Sequence, residues 1–370
     1  MPPLEELEKA RADIPASMAR LLSLRTMKAE APTPHKQFIL TGAEEVAGIM
    51  EFLPGQESEN AVFRLSMRGI CPSQWLEALA LEKTVQSIPS PEGNVRVRAH
   101  NGIFNLYKNL FKIRDEEGRQ QSSISAFIED LTLTDALNDL STLRIQIEGD
   151  FVGGCLGQLA ALHLKTFMGD YGVSSPHIRI LTYGSPTLFN AEGADFYNNT
   201  MGQQNSLHLN FRGMHDPIVH NPLSTLRTIV QSPRIVDVLN QMNRLDFKIS
   251  LALPILQAFV VSFPADVVVP DVKANSLATT LLRIPSIRHT PEGHIGIQIA
   301  VPSFEESPIP ALLENIDLKK LSPLSKAVGK FSDLGKFYMG ASSSGEYDSR
   351  TEEALQAFIL SVASQAPAQS

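Results

Sequence analysis

The chain has 370 residues, 43% of them hydrophobic, with 24 prolines, 23 glycines and a formal net charge of −8. This length suffices for one large α/β domain with extensions or for two modest domains, and the negative balance argues against nucleic acid or an anionic membrane as a non-specific partner. The two cysteines, Cys71 and Cys155, show neither metal-ligand nor C-x-x-C spacing; they read as reduced, singly placed thiols, with a disulfide between them left open.

Residues 1–30 are charged throughout and lack an apolar stretch behind a basic start, so no classical signal peptide is expected. Leu4 and Leu7, then Met18, Leu21 and Leu22, suggest one or two helices interrupted near Pro15 and packed on the main domain. Residues 31–36 read as a linker, and a second helix is expected from about Gly42 to Phe52, before Pro54. A strand over Ala61–Leu65, a helix over Trp75–Val85, an alternating strand over Val95–Ala99 and a helix from Ile103 to Phe111 follow. After a polar break at 114–121, the apolar positions predict a long helix over Ile124–Leu140.

Arg144 to Glu148 alternate as a short strand, and Leu156, Leu159, Ala160, His163 and Phe167 recur at helical spacing over 153–167. Between them, Gly149 and Gly153 stand two residues either side of Phe151. That frame is the one a nucleophile elbow needs, a strained turn with room only for backbone around the residue lifted above the sheet. Here that residue is Phe151, whose ring has no lone pair to attack a carbonyl and no proton for a base to remove. A plain glycine-rich strand-to-helix turn is the alternative; a phosphate loop is not supported, since GDFVGG is neither G-x-G-x-x-G nor a P-loop.

Further strands are expected over His177–Tyr183 and Ser206–Phe211, with a strand in IGIQI, residues 295–299. Between them, residues 227–247 look helical, and Ile249–Phe263 is uncharged but broken by Pro254 and too short to span a bilayer. It reads as a core segment or as a lid-like element facing lipid or a partner. After residue 300 the chain becomes mixed in character, with a break at 342–350, a last helix over Thr351–Ala363 and a Ser, Gln, Ala and Pro tail.

Several segments together resemble the class 3, or fungal-type, lipase family. GDFVGGC, Gly149–Cys155, is similar to the family's GHSLGGA, with Asp150 for His and Phe151 for Ser. FRLS, Phe63–Ser66, resembles the FRGT or FRGS segment, with Leu65 for Gly and Trp75 following; HNGIF, His100–Phe104, resembles HxGF. TYGSPT, Thr182–Thr187, and DPIV, Asp216–Val219, resemble TFGSPR and DPVP.

The resemblance implies an α/β-hydrolase-like central, mostly parallel sheet with flanking helices and helical N- and C-terminal extensions. It divides the chain into an N-terminal extension over 1–54, a lipase-like domain over 55–300 with an insertion at about 220–285, and a C-terminal extension over 301–370. It implies backbone oxyanion donors at Ser66 and Val152, a vestigial triad aspartate at Asp216 and a triad histidine at His294, with His289 as the other candidate, because the family's DHxxY is absent. His100 would be a hydrogen-bonded structural histidine, and Cys155 would point into helix packing. No cofactor or metal is implied. The implied function is that of an inactive, lipase-like interaction or acyl-binding module, with a protein partner or a lipid in the former cleft and no transmembrane span. The alternative is an active lipase, esterase or phospholipase with a relocated nucleophile, Asp150 or Cys155, or an engineered serine-to-phenylalanine substitution. The location is expected to be cytoplasmic or reached by a non-classical export route; the tail resembles type IV secretion signals.

Overall fold

In the computed structural model, the structure describes residues 3–55, 60–69, 83–88, 95–114, 120–202, 205–213, 295–301 and 349–365. The chain opens with helix α1, Leu4–Leu24, followed by strands β1, Lys36–Leu40; β2, Val46–Leu53; β3, Val62–Met67; β4, Lys83–Ile88; and β5, Val95–His100. Helix α2, Asn101–Phe111, the short pair β6, Lys112–Arg114, and β7, Gln120–Ser122, and helix α3, Ser123–Leu133, come next. Then follow β8, Arg144–Asp150; α4, Phe151–Asp170; β9, His177–Tyr183; α5, Ala191–Met201; β10, Ser206–Gly213; β11, Ile297–Val301; and α6, Ser349–Gln365.

Seven strands form the main sheet in the order β1-β2-β3-β8-β9-β10-β11. β1, β2 and β3 pair antiparallel, and β3, β8, β9, β10 and β11 run parallel. The crossover from β8 to β9 passes through α4, and the one from β9 to β10 through α5, as a parallel pair requires. The expected α/β-hydrolase-like architecture, helical termini included, is therefore present.

Strand alternation sorts the side chains into two layers. Leu65, Ile145, Ile147, Ile178 and Ile180 join one buried cluster with residues of α2, α3 and α4. Ile49, Leu181, Tyr183, Leu209 and Phe211 join the other, with Leu7, Ile14 and Leu21 of α1 and Leu355 and Ile359 of α6. Both terminal helices thus cover one face of the sheet, and the elbow helix covers the other.

Four local expectations need correction. The region near Pro15 is not a break: α1 runs through it. Pro15 is exposed, so water reaches the carbonyl whose helical donor the proline lacks. Residues 42–52 are not a helix but the turn and second arm of the β1–β2 hairpin. Thr41 Oγ1 accepts from the Ala43 and Glu45 amides and Glu44 takes φ 62°, which builds a tight turn, while Val46–Leu53 gains pairing on both edges from β1 and β3. The helix expected to reach Leu140 stops at Leu133, because Asp135 enters the left-handed region at φ 56°. Leu137 nonetheless returns to the core, its amide donating to the Leu131 carbonyl. Finally, Lys83–Val85 belongs to β4, paired with β5, rather than to a helix; Trp75 lies outside the described residues.

The first turn of α4 sits directly on the sheet, and glycine makes this possible. A Cβ on Gly149 would lie 2.5 Å from the Gly153 carbonyl oxygen, and one on Gly153 would fall onto the carbonyl oxygens of Met67 and Arg68. We expect Gly153→Ala to lower unfolding free energy by about 1–3 kcal/mol through overpacking against backbone. Gly169→Ala, near the other end of the same helix and with open space around the new methyl, should be neutral or stabilising by up to about 1 kcal/mol. Urea denaturation of both variants checks the contrast.

β10 carries a buried polar cluster on its α5 side. His208 shares hydrogen bonds with Thr182 Oγ1 and Tyr197 Oη, both at 3.1 Å, and Thr182 also donates to Asn210 Oδ1 at 3.1 Å. Burial without a charged partner depresses the His208 pKa from 6.5 to about 3, so the fold holds the neutral ring. The unfolded chain binds a proton below its ordinary pKa and the folded chain does not. The contribution of His208 is therefore intact above pH 6.5 and is lost progressively as pH falls toward 3, at a limiting slope of about 1.4 kcal/mol per pH unit. The expected outcome is a denaturation midpoint that falls across this window and falls less steeply in His208→Gln.

Candidate functional site at the strand-to-helix elbow

β8 ends at Asp150 and α4 begins at Phe151, with no intervening loop. The turn is made by Phe151 itself, at φ 50°, a conformation that costs a non-glycine residue about 1–2 kcal/mol. Gly149, Gly153 and Gly154 admit this geometry. Ser185, in the turn after β9, places its hydroxyl where a Cβ on Gly154 would stand, so the GSP turn packs against the elbow helix. The ring of Phe151 is half-buried and packs against the core on the α4 side of the sheet.

Val152 follows, buried, in the first turn of α4. Its amide is one of those a helix start leaves without an intrahelical acceptor, and the Asp150 side chain makes no capping bond. Ser66 is placed differently from Val152. It lies inside β3, paired with Ile49 on one side and Glu148 on the other. The Arg68 amide donates to the Ala47 carbonyl at 3.0 Å, and the two-residue alternation of an antiparallel ladder then turns the Ser66 N–H toward Ile49. Its hydroxyl donates to Glu148 Oε1 at 2.6 Å, on the α1 face. The structure does not bring Ser66 to the elbow apex. Asp216, His294 and His289 lie outside the described residues.

The remaining sequence candidates have ordinary structural partners. His100 Nδ1 accepts the Ile103 amide at 3.2 Å and caps α2. Cys155 is fully buried, and its Sγ donates to the Pro186 carbonyl at 3.2 Å. Among the described residues no His, Cys, Asp and Glu cluster could hold a metal, and no helix is long and apolar enough to cross a membrane. A cavity of about 1200 Å³ opens at the N-terminal ends of the parallel strands, beside Arg144, His177, Ser206 and His208, the sheet edge opposite the elbow.

Polar contacts with α1 were not anticipated from sequence. Arg20 makes two hydrogen bonds to Glu148, Nε and Nη2 each at 2.7 Å, and Arg25 Nη2 bonds Asp150 Oδ2 at 2.7 Å. Arg179 pairs with Asp13, and Tyr183 Oη donates to Ser17 Oγ at 3.1 Å. Their signal was present in RIQIEGD, where Gln146, Glu148 and Asp150 alternate with Ile145 and Ile147 on a central strand. A central parallel strand is normally apolar on both faces, so that alternation demands a polar partner across the sheet.

Residues 65–225 match the class 3 lipase family. No curated protein matches the chain. Solved structures similar to it include a Rhizomucor miehei lipase propeptide complex, at 16% identity and TM-score 0.37, covering 60% of this chain and 64% of that one. A triacylglycerol lipase from Penicillium expansum shows 14% identity and TM-score 0.37, with coverages of 60% and 74%. Lipase II from Rhizopus niveus shows 16% identity and TM-score 0.36, with coverages of 59% and 74%. The chain spans 58–64% of the Rhizomucor miehei lipase chains it matches. The matched segment, residues 65–225, contains the strand-to-helix elbow and strands β8 and β9 of an α/β-hydrolase-like sheet, and over that segment the chain is similar to class 3 lipases.

Proposed function

We propose that this chain is a pseudolipase, a lipase-like scaffold that binds a lipid or acyl group, or a protein partner, at the former cleft without cleaving an ester. The observation that carries this reading is the strained turn with phenylalanine at its apex. The elbow's backbone is kept at energetic cost, while the residue lifted by it has no nucleophilic atom. A bulky apolar ring there also favours contact with hydrocarbon over contact with the water that would solvate a serine. In this reading Asp216 and His294 are vestigial triad positions, and Val152 keeps a backbone donor that no longer meets a developing oxyanion.

The other nearby nucleophiles give the active-enzyme reading little support. Asp150 is buried against Arg25, and Cys155 is buried against Pro186. Ser125 Oγ and His163 Nε2 lie 2.8 Å apart, a nucleophile-and-base spacing, but they join α3 to α4 in the protein interior. His163 is twelve residues along α4 from the apex, about 18 Å at helical rise.

Two assays test the proposal. With p-nitrophenyl esters of short and long acyl chains, no turnover above the uncatalysed rate is expected. Robust hydrolysis abolished by Asp150→Asn or Cys155→Ala, in variants with unchanged circular dichroism, would overturn it. Phe151→Ser should lower stability by about 1–2 kcal/mol through lost apolar burial and should not restore efficient hydrolysis. Fast, saturable turnover by that variant would mean that the remaining triad is already assembled.

A further inference from the structure

The contact between Arg25 and Asp150 joins two parts of the chain that are 125 residues apart. Asp150 is the last residue of β8 and the N-cap of α4, one peptide bond before the strained apex. It is 1% exposed, whereas the Arg25 side chain is 34% exposed. Arg25 is the C-cap of α1, so its side chain reaches beyond that helix toward the elbow. A cation at the end of α1 and a carboxylate at the start of α4 also suit both helix dipoles.

No other cation is available to this carboxylate among the described residues. Arg20 is committed to Glu148, which also accepts the Ser66 hydroxyl, and Arg68 reaches the Val46 carbonyl. Burial raises the Asp150 pKa, and Arg25, with the Gly69 and Asp150 backbone amides, opposes that shift. A carboxylate this deeply buried, once deprived of its one ion pair, must take up a proton or move toward water. Movement toward water displaces the residue on which the turn at Phe151 begins, and protonation removes the charge by which Arg25 holds it.

We propose that Arg25 is a positioning residue for the elbow: its ion pair latches the end of α1 to Asp150 and holds the apex in place. The N-terminal helix is then a working part of the candidate site rather than an appendage. The latch is independent of whether the chain binds or cleaves an ester, so an active enzyme in the ester assay would leave it standing.

The test compares full-length wild type, Arg25→Gln, Asp150→Asn and the double variant by amide hydrogen exchange. Arg25→Gln is expected to speed exchange in the peptide covering residues 151–162 by about tenfold or more, with residues 4–18 of α1 unchanged. Adding Asp150→Asn should bring the elbow back toward the wild-type rate, because the uncompensated charge is gone. A side chain that acts only by packing would not be rescued this way. Unchanged elbow exchange in Arg25→Gln, equal acceleration of α1 and elbow, or no rescue in the double variant would each overturn the proposal. If Arg25→Gln does not fold, recovery of a folded double variant supports the latch and its failure contradicts it.

Discussion

The structure depends on how closely the first turn of α4 approaches the sheet. A strand that passes straight into a helix must reverse direction within one residue, and it can do so only where neighbouring side chains are absent. A Cβ on Gly149 or Gly153 would press on backbone atoms at under 3 Å, so a methyl group at either forces the backbone to shift. Everything that gives the apex its environment follows from that approach: the left-handed Phe151, the packing of the GSP turn against Gly154, and the amides that the helix start leaves without an intrahelical acceptor. The strained geometry is kept here around a side chain, Phe151, that carries no nucleophilic atom.

The opposite face of the sheet is held by a different kind of interaction. There α1 lays arginines, an aspartate and a serine across β8 and β9, meeting Glu148, Asp150, Arg179 and Tyr183 at matching positions. Such a polar seam is poor as a source of net stability, because desolvation offsets most of the attraction, but it is exacting about register. A slip of α1 by one turn would leave carboxylates of the central strand buried without partners. The apolar residues Leu7, Ile14 and Leu21 supply the adhesion, and the charges determine where the helix adheres.

Much of the fold was legible because it rests on local pattern. His177–Tyr183 has the same bounds in sequence and structure, and the strand, glycine frame and helix around Phe151 were visible as a change from two-residue to helical periodicity. The failures come from tertiary override. Val46–Leu53 has helix-compatible residues, and only its pairing with both β1 and β3 makes it a strand. Ser66 looked like a donor by its place after Phe63 and Arg64, but the strand runs on to Met67 and carries that amide into the ladder. Arg20 and Arg25 were unreadable as site residues, since nothing local distinguishes them from the solvated charges of an amphipathic helix. The clue lay more than a hundred residues away, in the acids of β8.

The central proposal is that the elbow region holds a partner that it does not process. Native mass spectrometry of the purified full-length chain tests it most directly. The account predicts a bound lipid, acyl group or protein partner of stable mass, displaced or weakened when Phe151 is replaced by aspartate and unaltered by prolonged incubation. A chain that carries no such species, or one that converts an added ester to a free acid and an alcohol, would contradict it.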